Sequence, residues 1–160
     1  MNLISRNMRL FRYGSLLGAL LLVTVSLRAQ DVITMDQTIA FIQSKMNDHC
    51  RLDMKNGGKL VITYFRDGVD YREDILFTAD MDTAQISYNP DEQSINIHCM
   101  EGEDECVTRR LYKDKERRFY SRVNFAFGFS PEEAQVLMDA FKHMIILVKD
   151  DKYERTKPFE

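Results

Sequence analysis

The chain has 160 residues, enough for one domain of ordinary size but hardly for two. It carries 22 basic and 25 acidic residues, which gives a net charge of −3 at neutral pH. This balance argues against nucleic-acid binding, because a protein needs a basic surface to displace the counterions that surround the phosphates.

Residues 1–29 have the layout of a secretory signal. Three arginines and no acidic residue precede an apolar run over residues 14–27, and Ala29 offers a small residue at a cleavage point. The apolar run has 14 residues, whereas a membrane-spanning helix needs about 20. We therefore predict a signal peptide that is removed near Ala29, rather than a membrane anchor, and a periplasmic or secreted protein.

Removal of this segment changes the charge and the chemistry expected of the rest. It takes away four basic residues and no acidic one, so the remaining 131 residues carry a net charge of −7. Such acidity argues against electrostatic docking on an anionic membrane. An oxidising compartment also permits disulfides. Cys50, Cys99 and Cys106 are therefore candidates for pairing, with one thiol left over.

The mature chain begins with a predicted helix over residues 34–47. Thr34 and Gln37 fit a capping box, in which each side chain satisfies a backbone N–H group of the first turn. The apolar residues that follow recur at helical spacing and form one stripe. They are Met35, Ile39, Ile42 and Met46.

A period-two alternation typical of β-strands then continues for roughly eighty residues. Asn56-Gly57-Gly58 is a strong hairpin signal, since Gly and Asn tolerate positive φ angles. On the last strand Phe119, Val123, Phe125 and Phe127 are expected to share one face. The seven predicted strands cover residues 51–55, 59–65, 69–77, 84–88, 94–99, 106–112 and 118–127.

A second helix is predicted from Ser130 to about Lys149. Ser130 caps it, Pro131 occupies the position where a missing N–H costs nothing, and Glu133 completes a second capping box. Residues 151–160 are polar and are predicted to form a flexible tail.

Antiparallel strands with helices segregated to the two ends indicate a single α+β domain over residues 30–150. The order of seven strands and one amphipathic helix, over residues 51–149, resembles that of the pleckstrin-homology-like barrel. That resemblance implies two bent sheets packed nearly at right angles, with the last helix closing one open end. The helix over residues 34–47 is then an addition, and a plain α/β sandwich is the competing arrangement.

Two departures from that family bear on function. Lipid-binding members usually carry a cluster of lysines and arginines around the first hairpin and a tryptophan in the final helix. This chain has only Lys55 and Lys59 at that hairpin and no tryptophan. Phosphoinositide membrane binding is therefore not expected.

Cys99 and Cys106 flank an acidic turn of six residues. If the strands on either side pair, the two cysteines lie opposite each other with Cβ atoms about 4.5–5.5 Å apart, close to disulfide distance. A structural disulfide is favoured over a redox-active pair, because acidic neighbours raise a thiol pKa and redox pairs need a lowered one. Cys50 is expected to be a buried small hydrophobe or to form an intermolecular disulfide.

Patterns that could bind metal or carry out catalysis are weak. His49-Cys50 and His98-Cys99 lack zinc-site spacing, and adjacent strand residues point to opposite faces. The acidic turn over residues 101–105 lacks the spaced ligands of a calcium loop. No nucleophile elbow, metalloprotease motif or phosphate loop is present in the sequence. We predict no catalytic residue, no metal, no cofactor and no enzymatic activity.

The basic residues of the mature chain concentrate between Arg109 and Arg122. Arginine and tyrosine are enriched at binding hot spots, so this stretch is a candidate interaction face for another protein or peptide. The plainer interpretation is the solvated side of two paired strands. The residues of the candidate face are Arg109, Arg110, Tyr112, Arg118, Tyr120 and Arg122.

The sequence thus predicts an exported, non-enzymatic domain that binds a protein or peptide, or serves as an accessory domain of the cell envelope. The alternative is a carrier of a small apolar ligand, held between the sheet and the C-terminal helix. A carrier requires an enclosed apolar cavity of some hundreds of Å³. A hydrolase with unrecognised residues would instead require a cleft that contains a group of shifted pKa.

Overall fold

The structure is a computed structural model that describes residues 33–46, 48–113 and 116–155. The predicted signal peptide and its cleavage point lie outside the described residues. Within the described ranges, no helix is long and apolar enough to cross a membrane.

The described residues form an α+β fold with eight antiparallel strands between two helices. Helix α1 spans Met35–Met46 and helix α2 spans Pro131–Arg155. The strands are β1 Cys50–Lys55, β2 Lys59–Arg66, β3 Val69–Phe77, β4 Met81–Asn89, β5 Ser94–Cys99, β6 Val107–Leu111, β7 Arg117–Tyr120 and β8 Arg122–Ala126.

Both predicted capping boxes are confirmed. The Thr34 N–H donates to Gln37 Oε1 at 2.8 Å, and the Gln37 N–H donates to Thr34 Oγ1 at 3.3 Å. Ser130 and Glu133 exchange the same two bonds at 3.0 and 3.2 Å, and these bonds lower the pKa of Glu133. Helix α2 continues past its predicted end to Arg155, because no glycine or proline interrupts it there.

The strands are divided between two sheets. The five-stranded sheet has the order β1-β2-β3-β6-β7, and the three-stranded sheet has the order β4-β5-β8. Four pairs of consecutive strands form antiparallel hairpins: β1–β2, β2–β3, β4–β5 and β6–β7. The chain therefore passes from one sheet to the other three times, at the connections β3–β4, β5–β6 and β7–β8.

The last predicted strand is split at Ser121, which passes the chain from β7 in one sheet to β8 in the other. The Ser121 carbonyl accepts a bond from the Cys99 N–H at 2.8 Å. The bend interrupts the alternation of side chains, so the predicted common face is wrong. Phe119 is 55% exposed, whereas Val123 and Phe125 are buried.

The predicted disulfide between Cys99 and Cys106 is present, with the two Cα atoms 5.9 Å apart. The hairpin expected to hold it does not form, because β5 and β6 belong to different sheets. The disulfide instead links the end of a strand in the three-stranded sheet to the start of a strand in the five-stranded sheet. It joins the two sheets covalently where the chain crosses between them.

The core lies between the inner face of the five-stranded sheet, the three-stranded sheet and α2. On that inner face Leu60, Ile62 and Leu76 are buried, and Phe125 of β8 stacks on Phe141 of α2 with ring centroids 5.1 Å apart. A cavity of about 10 Å³ lies among these side chains. That volume corresponds to roughly one water-sized probe, so this core is closely packed.

Helix α1 covers the β1 edge of the five-stranded sheet. The Gln43 side chain donates to the Cys50 carbonyl at 2.8 Å and accepts from the Leu52 N–H at 2.7 Å. One side-chain amide thus takes the place of a neighbouring strand. This edge is closed to further pairing at that point.

Gly58, in the turn between β1 and β2, gives a test of how α2 docks on the sheets. Gly57 and Gly58 both have positive φ, but a Cβ on Gly58 would overlap Val148 of α2, whereas a Cβ on Gly57 meets nothing within 4 Å. We expect G57A to lower the free energy of unfolding by about 1–2 kcal/mol and G58A by about 1–3 kcal/mol more. Urea unfolding measures both, and a double-mutant cycle with V148A should recover part of the extra loss. Equal losses in G57A and G58A would contradict this docking.

Cys50 gives a prediction about alkaline pH. The side chain is completely buried, and burial raises its pKa from an ordinary 9.0 to about 12. Between these values the unfolded chain has released a proton that the folded chain keeps. The free energy of unfolding therefore falls as the pH rises above 9, by at most about 1.4 kcal/mol per pH unit.

The check is urea unfolding of the wild type and of C50A at about pH 8 and pH 10. We expect the free energy of unfolding to fall more in the wild type than in C50A over this interval. Tyr64, whose pKa is also raised, is present in both proteins, so its effect on stability does not account for the difference. Thiol titration of non-reduced protein should find one thiol after denaturation and none before. Parallel stability losses in the two proteins, or three thiols, would refute the prediction.

Candidate interaction site

A row of charged residues crosses the inner face of the five-stranded sheet. Strand register aligns Asp74, Arg109 and Arg118 side by side on β3, β6 and β7. The apolar Ile62 on β2 lies next to Asp74 at the inner end of this row. Asp74 is completely buried, whereas the Arg118 side chain at the far end is 55% exposed. The row therefore leads from the apolar core to the edge of the sheet.

Asp74 is held by two arginines. Arg109 binds it in a bidentate fashion, with Nε donating to Oδ1 at 2.8 Å and Nη2 donating to Oδ2 at 2.9 Å. Arg72 Nη2 donates to Oδ2 at 3.0 Å. Burial lowers the pKa of Arg109, but the hydrogen bonds and the charge of Asp74 outweigh this effect and raise it. Both oxygens of the buried carboxylate thus accept hydrogen bonds from arginine guanidinium groups.

Arg72 also connects the two sheets. Its guanidinium lies 3.6 Å from the centroid of the Tyr64 ring, and its Nη2 donates to the backbone carbonyl of Asn124 on β8 at 3.4 Å. Burial, with a further contribution from Asp74, raises the pKa of Tyr64 well above its ordinary value. Tyr64 therefore stays neutral, and its ring face serves as the platform for Arg72.

The opposite face of the sheet carries a second charged row. Here Glu73, Arg110 and Arg117 are aligned on β3, β6 and β7. Glu73 accepts a bond from the Tyr112 hydroxyl at 3.3 Å, and Arg110 lies 5.5 Å from the centroid of the Tyr112 ring. Arg117 is exposed at the sheet edge.

The six residues of the predicted interaction face do not share one surface, because side chains alternate across a strand. Arg109, Arg118 and Tyr120 belong to the inner face, and Arg109 lies over the Tyr120 ring at 4.2 Å. Arg110 and Tyr112 belong to the opposite face. The sixth residue, Arg122, lies on β8 of the other sheet, opposite His98.

The β7 edge brings together residues from both rows. Strand β7 pairs with β6 along one side, and no other described strand pairs with it. Its residues Arg117, Arg118 and Phe119 are exposed. Arg117 and Phe119 lie within the predicted basic stretch but are not among its six candidate residues, because their position at an edge depends on a strand order that local patterns do not contain.

The described residues contain no group of three or more histidine, cysteine, aspartate and glutamate side chains that is arranged to hold a metal ion. His49 instead stacks on Phe127 with ring centroids 4.6 Å apart. Cys50 Sγ lies 3.6 Å from Met46 Sδ in the core. Each member of this His-Cys pair is thus accounted for by packing.

No protein-family model matches this chain, and no match is found among curated proteins or solved structures. What the structure establishes is a set of antiparallel sheets with a C-terminal helix packed on them. Such architectures serve many unrelated functions, so function has to be argued from the site itself.

Asp74 gives a test of the charged row. Replacing it by asparagine leaves two partly buried arginines without their anion, and breaking a buried ion pair in this way costs about 3–5 kcal/mol. We expect D74N to lose stability of that order in urea unfolding. Its control is E73Q on the neighbouring position of the opposite face, where an exposed interaction contributes about 1 kcal/mol or less. Equal unfolding midpoints for D74N and E73Q would show that the buried pair has no such role.

Proposed function

We propose that this protein is an exported, non-enzymatic domain that binds another protein or peptide through the β7 edge of its five-stranded sheet. The observation that supports this most directly is an edge strand that exposes Arg117, Arg118 and Phe119 together. Arginine and aromatic side chains are enriched among the residues that dominate binding energy. Unpaired strand edges are also recurrent sites of peptide recognition.

Export is supported by two independent features. The basic start, the apolar run over residues 14–27 and the small residue Ala29 have the pattern of a cleaved signal. The disulfide between Cys99 and Cys106 is consistent with an oxidising compartment. Both features support a periplasmic or secreted location, and an accessory role in the cell envelope is compatible with it.

The alternative role as a carrier of an apolar ligand has less support. The cavity between the sheets and α2 has about 10 Å³, whereas a ligand pocket needs some hundreds of Å³. A carrier would therefore have to open a core that is packed around Phe125 and Phe141.

The resemblance to the pleckstrin-homology-like barrel contributes nothing to this proposal. The resemblance is supported by antiparallel sheets followed by a packed C-terminal helix. The strands, however, are not divided between the two sheets in consecutive order, since β6 and β7 return to the first sheet and β8 to the second. We therefore transfer no lipid-binding property from that family.

The test is affinity capture of partners from the native envelope fraction by the mature protein, with mass spectrometry of what is bound. The wild type is compared with R117E at the β7 edge and with R51E, which reverses an exposed arginine on β1 at the opposite edge. We expect a partner that R51E retains and R117E loses. A partner bound equally by all three proteins would place the interaction elsewhere and overturn the proposal.

A further inference from the structure

We infer that the ligand of the β7 edge is an extended acidic peptide segment that adds a sixth strand to the five-stranded sheet. This inference rests on the proposed function and names the chemistry of its partner. It is carried by the order of charges in the two rows that end at β7.

Both rows end with two arginines in succession. On the inner face Asp74, Arg109 and Arg118 follow one another across the sheet. Like charges directly opposite each other destabilise a strand pair. Asp74 compensates Arg109 from one side, so Arg118 is the member of the row that lacks a carboxylate from a neighbouring strand among the described residues.

The opposite face repeats this order with Glu73, Arg110 and Arg117. A strand added beside β7 would continue both rows at once, because Arg117 and Arg118 are consecutive and lie on opposite faces. Two adjacent acidic residues in that strand would lie opposite the two arginines. An apolar residue next to them would lie beside Phe119, which is 55% exposed.

Glu116 shows that this edge accepts a carboxylate. Its Oε2 lies 3.0 Å from Arg118 Nη2, and both side chains are more than half exposed. Exposed pairs of this kind contribute about 1 kcal/mol or less, so a ligand carboxylate on a paired strand can displace Glu116 from the guanidinium.

Two other occupants fit the edge less well. A second copy of this chain, pairing β7 with β7, would bring the Arg117 and Arg118 pairs of both copies together on one short strand pair, where like charges are unfavourable. Charged residues, lysine above all, also protect strand edges from aggregation, and that role needs no ligand. Recognition of an acidic peptide requires the positive sign, so charge reversal separates the two roles.

The experiment uses the mature protein and a synthetic acetylated peptide, Ser-Thr-Val-Glu-Glu-Val-Thr-Ser, with binding followed by calorimetry. A matched peptide replaces both glutamates by lysine, and another keeps the glutamates but replaces both valines by proline, which removes backbone donors that a strand needs. We expect the first peptide to bind and both matched peptides to bind at least about tenfold more weakly, a loss of the size that a single lost interaction can produce.

The protein variants are R117E/R118E at the β7 edge and R51E at the opposite edge. We expect the double reversal to abolish binding while the variant stays folded and monomeric, and R51E to bind like the wild type. Hydrogen exchange should show new protection of the β7 amides when the acidic peptide binds.

The outcomes distinguish this inference from the proposed function. Equal binding of the proline peptide, unchanged binding by R117E/R118E, or a dimer formed through β7 would each overturn strand addition by an acidic segment. If no peptide binds but R117E still loses its captured partner, the inference falls and the proposed function stands. If capture does not depend on Arg117, the proposed function falls.

Discussion

The completely buried carboxylate of Asp74 is the constraint on which the rest of the structure depends. A buried carboxylate without partners is strongly destabilising, so it needs cations within hydrogen-bonding distance. Arg72 on its own strand supplies one bond, and the bidentate contact comes from Arg109 on β6. Strand β6 must therefore lie next to β3, although two other strands separate them in the chain. The placement of β6 beside β3 in the five-stranded sheet agrees with that requirement.

The connections at which the chain changes sheet are related to the position of β6 beside β3. Because β6 returns to the five-stranded sheet, β4 and β5 form the start of a second sheet, which the chain rejoins after bending at Ser121. The disulfide between Cys99 and Cys106 holds the return from β5 to β6, and the Arg72 contact with the Asn124 carbonyl holds the free edge of β8. The two sheets are thus joined by one charged side-chain contact and one covalent bond.

Features that depend on neighbours in the chain could be predicted from the sequence, and those that depend on strand order could not. The capping boxes at Thr34 and Ser130 form as expected, because each needs only four consecutive residues. The disulfide was predicted correctly from an incorrect premise, since β5 and β6 do not pair. Phe119 was assigned to the core because alternation alone cannot show that a strand bends. The candidate face is divided for a different reason: alternation along β6 places Arg109 and Arg110 on opposite sides, and the sequence alone contains that information.

The sign of the charge at the β7 edge carries more information than its presence. After loss of residues 1–29 the chain has a net charge of −7, so the two exposed arginines at the β7 edge are opposite in sign to the chain as a whole. Arg117 and Arg118 lie opposite Arg110 and Arg109 of β6. Like charges in these positions weaken the pairing of β7 with β6. A feature that opposes the stability of its own strand is expected where function requires it. The local excess of positive charge at β7 therefore supports the acidic peptide that we propose as its ligand.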